Sequence, residues 1–286
     1  MTRNVIIMVA PNGARKTKLD HASLPVSIED TVAEAALCHT AGASVLHAHV
    51  RGTNDEHVLD AGLYHELLAE LSRQVPQMLI QVTSEAVGIY TPRQQVDCIK
   101  AVVPQMVSMA LREITSNFEQ PGFGQEFFEW CVEHKIHVQH IVYSAEELQR
   151  WLDYRDQGVI PSSHRCVLFV LGRYSVDFQS EPADLEPFLQ HDLEGLDWFT
   201  CAFGSKEQQC VMRGINAGGH ARVGFENNLH LPNGDIAPNT AALVSSLVDT
   251  MHDSGHRPAS SDAARQLLGV RTPEAGLGIT NTQTPN

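Results

Sequence analysis

The chain has 286 residues, 43% hydrophobic and 19% charged, enough apolar content to bury a sizeable core as one large domain or two small ones. With 34 acids against 20 bases the formal charge is −14, which argues against a general nucleic-acid or acidic-membrane surface and makes the few clustered cations informative. The cysteines are scattered without a Cys-x-x-Cys pair, the N-terminal apolar run is too short for a signal segment, and no run reaches the ~18 residues of a membrane span. Buried reduced thiols in a cytoplasmic protein are therefore expected.

Residues 5–10 are continuously apolar and rich in β-branched side chains, the pattern of a strand buried on both faces, and Pro11-Asn12-Gly13 breaks it. Ser27, with Asp30 three residues on, opens a helix that Gly42 stops. The next strand, Ser44-Val-Leu-His-Ala-His-Val-Arg51, carries His47 and His49 on one face, one pleat apart. Two imidazoles on a buried face carry a desolvation cost that a divalent metal satisfies well; the alternatives are hydrogen-bonded strand histidines or an exposed edge.

The same phrase then repeats. A helix over 60–74 leads to strand 78–82 and the loop Thr83-Ser84-Glu85; a helix over 92–100 leads to strand 106–111, ending Arg112-Glu113. A helix over 124–134 precedes strand 138–143, and Ser144 with Glu147 reads as a capping box opening another helix. Strand 166–171, a helix around 181–189, strand 198–203, a helix over 206–216, strand 220–224 and a helix over 240–252 complete the series. Eight strands alternating with helices across about 250 residues have the rhythm of an α/β (β/α)8 TIM barrel. A doubly wound sheet fits less well, because the first strand-to-helix turn lacks a Gly-x-Gly-x-x-Gly phrase. Residues 1–270 form a single barrel domain in this reading, and 271–286 a tail, flexible or packed on a neighbouring subunit.

A barrel of this kind carries its chemistry at the C-terminal ends of the strands. That sorts out Asn12, Arg15, His47, His49, Arg51, Thr83, Ser84, Glu85, Ser108, Arg112, Glu113, Tyr143, Arg173, Arg222, Glu226 and Asn227. Glu226 falls just past the eighth strand, which shares the first strand as neighbour with the histidine strand, so it can reach His47 and His49 across the mouth. Two histidines and one carboxylate leave open positions for substrate oxygens, as catalytic zinc requires, although other divalent metals accept the same donors. The alternative for Glu226 is a surface-loop acid.

The phrases Val-Ala-Pro-Asn-Gly-Ala at 9–14, Ala-Gly-Ala-Ser-Val-Leu-His-Ala-His-Val-Arg at 41–51, Leu-Ile-Gln-Val-Thr-Ser-Glu-Ala-Val-Gly at 79–88 and Gly-Gly-His-Ala-Arg-Val-Gly-Phe-Glu-Asn-Asn at 218–228 are similar to those of the β-keto acid cleavage enzymes, whose type activity is 3-keto-5-aminohexanoate cleavage. The resemblance covers nearly the whole chain. It implies an oligomeric TIM barrel (a homodimer or homotetramer) binding Zn²⁺ through His47, His49 and Glu226. It also implies a reaction in which a small 3-keto acid and acetyl-CoA give acetoacetate and a new acyl-CoA through a metal-stabilised enolate.

In that family the arginine at position 222 works with an aspartate directly after the metal glutamate and a glutamate after strand 1. Here Asn227 stands at the first position and Arg15 aligns near the second. Glu85 and Glu113, where the type enzyme carries small or neutral residues, are the replacement candidates for the base, with Arg222 or Arg112 as partner. Arg112 and Glu113 could instead form a structural ion pair at the rim. Thr83 and Ser108 align with carboxylate-binding hydroxyls, and Ser84, Arg112, Asn12 and Asn227 join them as substrate-binding candidates; strand-end hydroxyls can equally bond only to backbone. Arg15, beside Lys16 and Lys18, is the candidate for a CoA phosphate, against a solvated loop. Arg15 or Arg112 in the mouth would favour an acidic keto acid. Other readings of the same barrel are a metal-dependent lyase or hydrolase without CoA, and a non-catalytic metal or metabolite binder. The remaining histidines, His57 among them, are assigned to the surface or to satisfied core positions.

Overall fold

Short apolar runs, each too long to leave in water and too short for a helix, become the eight staves of a closed parallel barrel. They are β1 (Ile7–Val9), β2 (Val45–Ala48), β3 (Leu79–Thr83), β4 (Met106–Ala110), β5 (His137–Val142), β6 (Cys166–Leu171), β7 (Asp197–Ala202) and β8 (His220–Val223). The computed structural model describes residues 3–115 and 122–271. β1 lies between β8 and β2, with Arg222 opposite Met8 and Leu46 opposite Val9. The closure expected from the repeat is therefore observed, and it sets Glu226 and the two histidines on either side of β1.

The helices of the outer ring start where short polar side chains cap them. Ser27 Oγ accepts from Asp30 N at 3.0 Å to open α1 (Ile28–Ala41), and Thr91 and Gln94 form a reciprocal box at the start of α3 (Pro92–Val102), after α2 (Ala61–Gln74). The box expected at Ser144 is only half made. Ser144 Oγ accepts from Glu147 N, but the Glu147 carboxylate accepts from Tyr143 N at 2.7 Å and Arg112 Nε at 2.7 Å instead. The ring continues with α4 (Gly122–Glu133), α5 (Ala145–Asp156), α6 (Glu207–Asn216) and α7 (Thr240–Asp253). Between β6 and β7 the expected helix shrinks to a 3-10 turn, Pro182–Leu185, and four helical residues, Glu186–Leu189.

Alternation along the staves divides the core in two. Outward side chains such as Leu46, Val82, Val107, Phe169 and Ala221 pack under the helices. Inward ones grade along the barrel axis, from Met8, Val45, Leu79, Met106, Leu168 and Phe199 in the lower layer to polar groups at the top. Two elements absent from the sequence reading close the lower end. Asn4–Val5 pairs in parallel with Arg257–Pro258, and α8 (Ser261–Leu268) presses Ala264 and Leu268 onto the lower apolar layer. The expected tail lies outside the described residues. Among those described, no helix is long and apolar enough to cross a membrane.

One outward histidine makes a stability prediction. His140 is fully buried behind β5, with Nε2 at 3.2 Å from His164 Nδ1 and the rings of Phe128 and Trp151 around it. Burial pushes the pKa of His164 down to about 4, and that of His137 to about 4. The unfolded chain therefore binds protons that the fold refuses between pH 6.5 and about 4, so stability falls as pH drops through that window. The loss is at most about 1.4 kcal/mol per pH unit for each such histidine. A thermal melt series should show the wild type losing Tm below pH 6.5 more steeply than His164→Gln; parallel curves would refute the assignment.

Candidate active site

β2 ends at Ala48; after His49 the chain resumes as Val50–Arg51, antiparallel to His57–Val58. Both histidines point into the mouth, as the two-residue spacing predicts, and are essentially fully buried. His47 Nε2 and His49 Nε2 are 3.1 Å apart, and each is 3.6 Å from Glu226 Oε2. Among the described residues these three form the group of His, Cys, Asp and Glu able to hold a metal ion. A triangle with those sides has its centre about 2.0 Å from every corner, the bond length of a zinc–imidazole or zinc–carboxylate contact. Glu226 Oε2 is buried and makes no hydrogen bond. Buried carboxylate oxygens are rarely left so, and the donor set therefore fits a divalent metal.

The surroundings aim the lone pairs. The Gln81 carbonyl oxygen lies 2.8 Å from His47 Nδ1, so that nitrogen carries the proton and Nε2 faces Glu226 with its lone pair. The His57 ring does the same for His49. Its Nε2 donates to Glu85 O at 2.8 Å, which leaves Nδ1 to accept from His49 Nδ1 at 3.5 Å. Burial, with the nearby Arg222 charge, holds the His47 pKa well below 6.5, so the ring is neutral as a metal ligand must be. Burial is the largest influence on Glu226 and opposes its charge, but Arg222, donating to Glu226 Oε1, and the two histidines beside it together hold its pKa well below the usual carboxylate value.

Two glycines make room for Glu226. Gly13, at φ +58°, sits where any Cβ would overlap the Glu226 side chain; Gly224, at φ +145°, sits where one would strike Ala10 O. That carbonyl in turn accepts from Glu226 N at 3.1 Å. Arg51 ties the first loop down by donating to Asn12 O at 3.2 Å, Lys16 O at 2.9 Å and Asp55 O at 2.8 Å. Lys16 Nζ donates to Glu226 O at 2.7 Å.

Above the donors lies a small inner chamber whose polar wall is His47, Thr83, Glu85, Ser108, Arg222, Glu226 and Asn227, faced by Ala110, Ile141, Tyr143, Val170, Cys201 and Phe203. It opens past Glu85, Arg173 and Phe203 into an outer cleft of about 600 Å³ walled by the first loop, residues 177–179 and residues 203–205. Several buried polar atoms here have no hydrogen-bond partner: Ser108 Oγ, Arg222 Nε, both side-chain heteroatoms of Asn227, and Asn12 Oδ1. Clustered in this way, they mark a surface built for a polar ligand.

Of the sequence candidates, Thr83, Ser108, Glu85, Asn227 and Arg222 line the chamber, while Asn12 and Arg15 line the outer cleft. Ser84 points away from it, because Thr83 takes the inward place, and its hydroxyl donates to Ser108 O at 2.9 Å. The short helix Leu111–Ile114 turns Arg112 and Glu113 apart, so they do not pair with each other. Arg112 instead bonds Glu147 and lies 4.6 Å and 4.4 Å from the ring centres of Tyr143 and Tyr174, outside the chamber wall. The Glu113 carboxylate accepts from Ala86 N at 3.0 Å and Gln95 Nε2 at 2.8 Å, anchoring the loop after β3. Sequence reasoning missed the supporting roles of His57 and Gln81. The turn-forming stretch Gly52-Thr-Asn-Asp55 between Arg51 and His57 was the available sign of a hairpin that folds His57 back onto His49.

A model of the β-keto acid cleavage enzyme family matches residues 4–270. The chain is 28% identical over 281 residues to a 3-keto-5-aminohexanoate cleavage enzyme of Fusobacterium nucleatum, covering 95% of this chain and 100% of that one. It is 25% identical over 290 residues to a 3-oxoadipate:acetyl-CoA acetyltransferase of Cupriavidus necator, covering 96% and 98%. Among solved structures, a binary complex of ObcA with oxaloacetate superposes with a TM-score of 0.70 at 14% identity, over 87% of this chain and 68% of that one, a likeness of fold.

Proposed function

Because the chain belongs to the β-keto acid cleavage enzyme family, we propose that it condenses a small 3-keto acid with acetyl-CoA and releases acetoacetate and a new acyl-CoA. The observation that carries this reading is the convergence of His47, His49 and Glu226 on one point at the floor of a chamber that opens into a second, larger cleft. The chamber suits the keto acid, and the cleft suits the thioester that must approach it. His47, His49 and Glu226 would hold a divalent metal, zinc in our reading, which would supply Lewis-acid stabilisation of negative charge on the keto oxygen.

The chain's own groups do the rest. The unpartnered Ser108 hydroxyl and Asn227 amide, with Thr83, receive the substrate carboxylate and keto oxygen. Glu85, on the chamber wall, takes the proton from the carbon between them. That carbon forms a bond to the acetyl carbonyl, and CoA leaves as the thiolate. The thiolate then attacks the original ketone carbon, the bond between this carbon and its neighbour breaks, and the electron pair stays on the departing carbon, which takes back the proton held by Glu85 to give acetoacetate. Arg222 holds Glu226 in place throughout by its charge-assisted bond.

The test is to incubate the purified protein with a panel of 3-keto acids, with and without acetyl-CoA. Acetoacetate and the matching acyl-CoA should appear in equal amounts, and only when acetyl-CoA is present. Cleavage that proceeds without any thioester would point to a lyase and overturn the transfer reaction.

A further inference from the structure

Apart from Arg15, which lines only the outer cleft, most cations of this mouth are committed. Arg222 serves Glu226, Arg51 serves loop carbonyls, and Arg112 serves Glu147. Arg173 differs. It follows Gly172 at the end of β6, is partly buried, and lines both the inner chamber and the outer cleft. Its guanidinium carbon lies 5.4 Å, 5.4 Å and 5.6 Å from the ring centres of Tyr174, Phe178 and Phe203. Those faces hold the cation but use none of its N–H donors. Among the described residues no carboxylate lies within 4.0 Å of it, and none of its donors is engaged in a hydrogen bond. Phe178 is held at φ +50°, an uncommon conformation for an aromatic residue, so the loop gives up backbone comfort while its ring sits beside Arg173. Lys16 lines the same cleft; burial is the main reason its pKa is lowered, and the charge of Arg173 adds to it.

We propose that Arg173 is a specificity-determining residue that binds an oxyanion at the far end of the keto acid, so that the preferred substrate is a 3-keto dicarboxylic acid. The inference rests on the function proposed above. The same chamber carries Ala110, Ile141 and Val170 in its wall, apolar lining of the kind a short methylene chain needs between two charged ends. The other source of an oxyanion is a CoA phosphate. The phosphates lie a whole pantetheine arm from the thioester, whereas Arg173 shares the walls of one small chamber with His47 and Ser108, so the carboxylate is the ligand within reach.

The experiment compares 3-oxoadipate with 3-oxohexanoate, which have the same chain length and differ in the terminal carboxylate. The wild type should favour the diacid in kcat/KM by at least about tenfold, and Arg173→Met should lower the diacid value about 100-fold while leaving the monoacid within a few-fold. Arg173→Lys should restore part of the diacid preference. Calorimetry with the unreactive pair glutarate and valerate should show the same gap in affinity, and the same closure in the variant, whether or not turnover occurs. A protein that binds glutarate through Arg173 but makes no acetoacetate would thus sink the reaction and keep the subsite. Equal loss with both acids, or no loss, overturns the subsite. So does a variant whose only change is a raised KM for acetyl-CoA that vanishes with acetyl-pantetheine, since the anion would then be phosphate.

Discussion

His49→Ala and Glu226→Gln are each expected to abolish the proposed metal binding and to lower acetoacetate formation about 10³-fold or more, because several kcal/mol of charge stabilisation would go with the ion. The two variants should nevertheless part company in stability. Removing the His49 side chain leaves the Arg222–Glu226 ion pair in place. Glu226 also balances Arg222, whose side chain is only 3% exposed. Converting that carboxylate to an amide leaves a buried guanidinium without its counter-ion, a change that costs about 3–5 kcal/mol. Elemental analysis and thermal melts on the purified variants therefore separate metal binding from ion pairing. Gln81→Leu, which removes the acceptor for His47 Nδ1, should fall between, with metal affinity lowered about 10- to 100-fold. Full metal stoichiometry in both ligand variants would sink the site.

Much of this geometry was legible from periodicity. A buried parallel strand announces itself as a run of apolar residues, and eight such runs at helical intervals leave few folds to choose from. Once the barrel is assumed, its cyclic order makes β2 and β8 flank β1, and the meeting of His47, His49 and Glu226 follows from topology alone. What lies beyond a strand's last residue follows no such rule. Whether Arg112 and Glu113 face the chamber depends on the chain curling into a helical turn at Leu111 and not running straight on, a choice made by packing. Glu147 could not be read as Arg112's partner, because the capping-box pattern already offered it another role. Arg173 was one of many mouth residues; only the three rings around it and the absence of an acid within 4.0 Å among the described residues single it out. The lower closure was missed for a plainer reason. Two-residue strands have no period, and α8 lay beyond the point where the barrel repeat was already complete.

Glu85→Gln is expected to lower kcat about 10²- to 10⁴-fold, the range for losing a general base, while keeping metal content and Tm close to wild type. The other groups at hand are poor bases. Asn227 is a neutral amide, and Arg15 and Arg173 are cations. Burial keeps the Tyr143 phenol protonated, with a pKa raised well above 10.0. Burial and Arg222 hold the His47 pKa well below 6.5, which makes the ring a weak proton acceptor, and Glu226 is tied to Arg222 and is the proposed metal donor. Glu113 spends its carboxylate on Ala86 N and Gln95, so Glu113→Gln should leave kcat within a few-fold and show itself in stability. The step assigned to Glu85 can be watched in isolation. In heavy water and without acetyl-CoA, the wild type should exchange the protons between the keto and carboxylate carbons of a bound 3-keto acid, as followed by NMR. Glu85→Gln should not. If the variant exchanges at the wild-type rate, the proton goes elsewhere, and the loss of the family's aspartate at position 227 must be made good by a residue outside this wall.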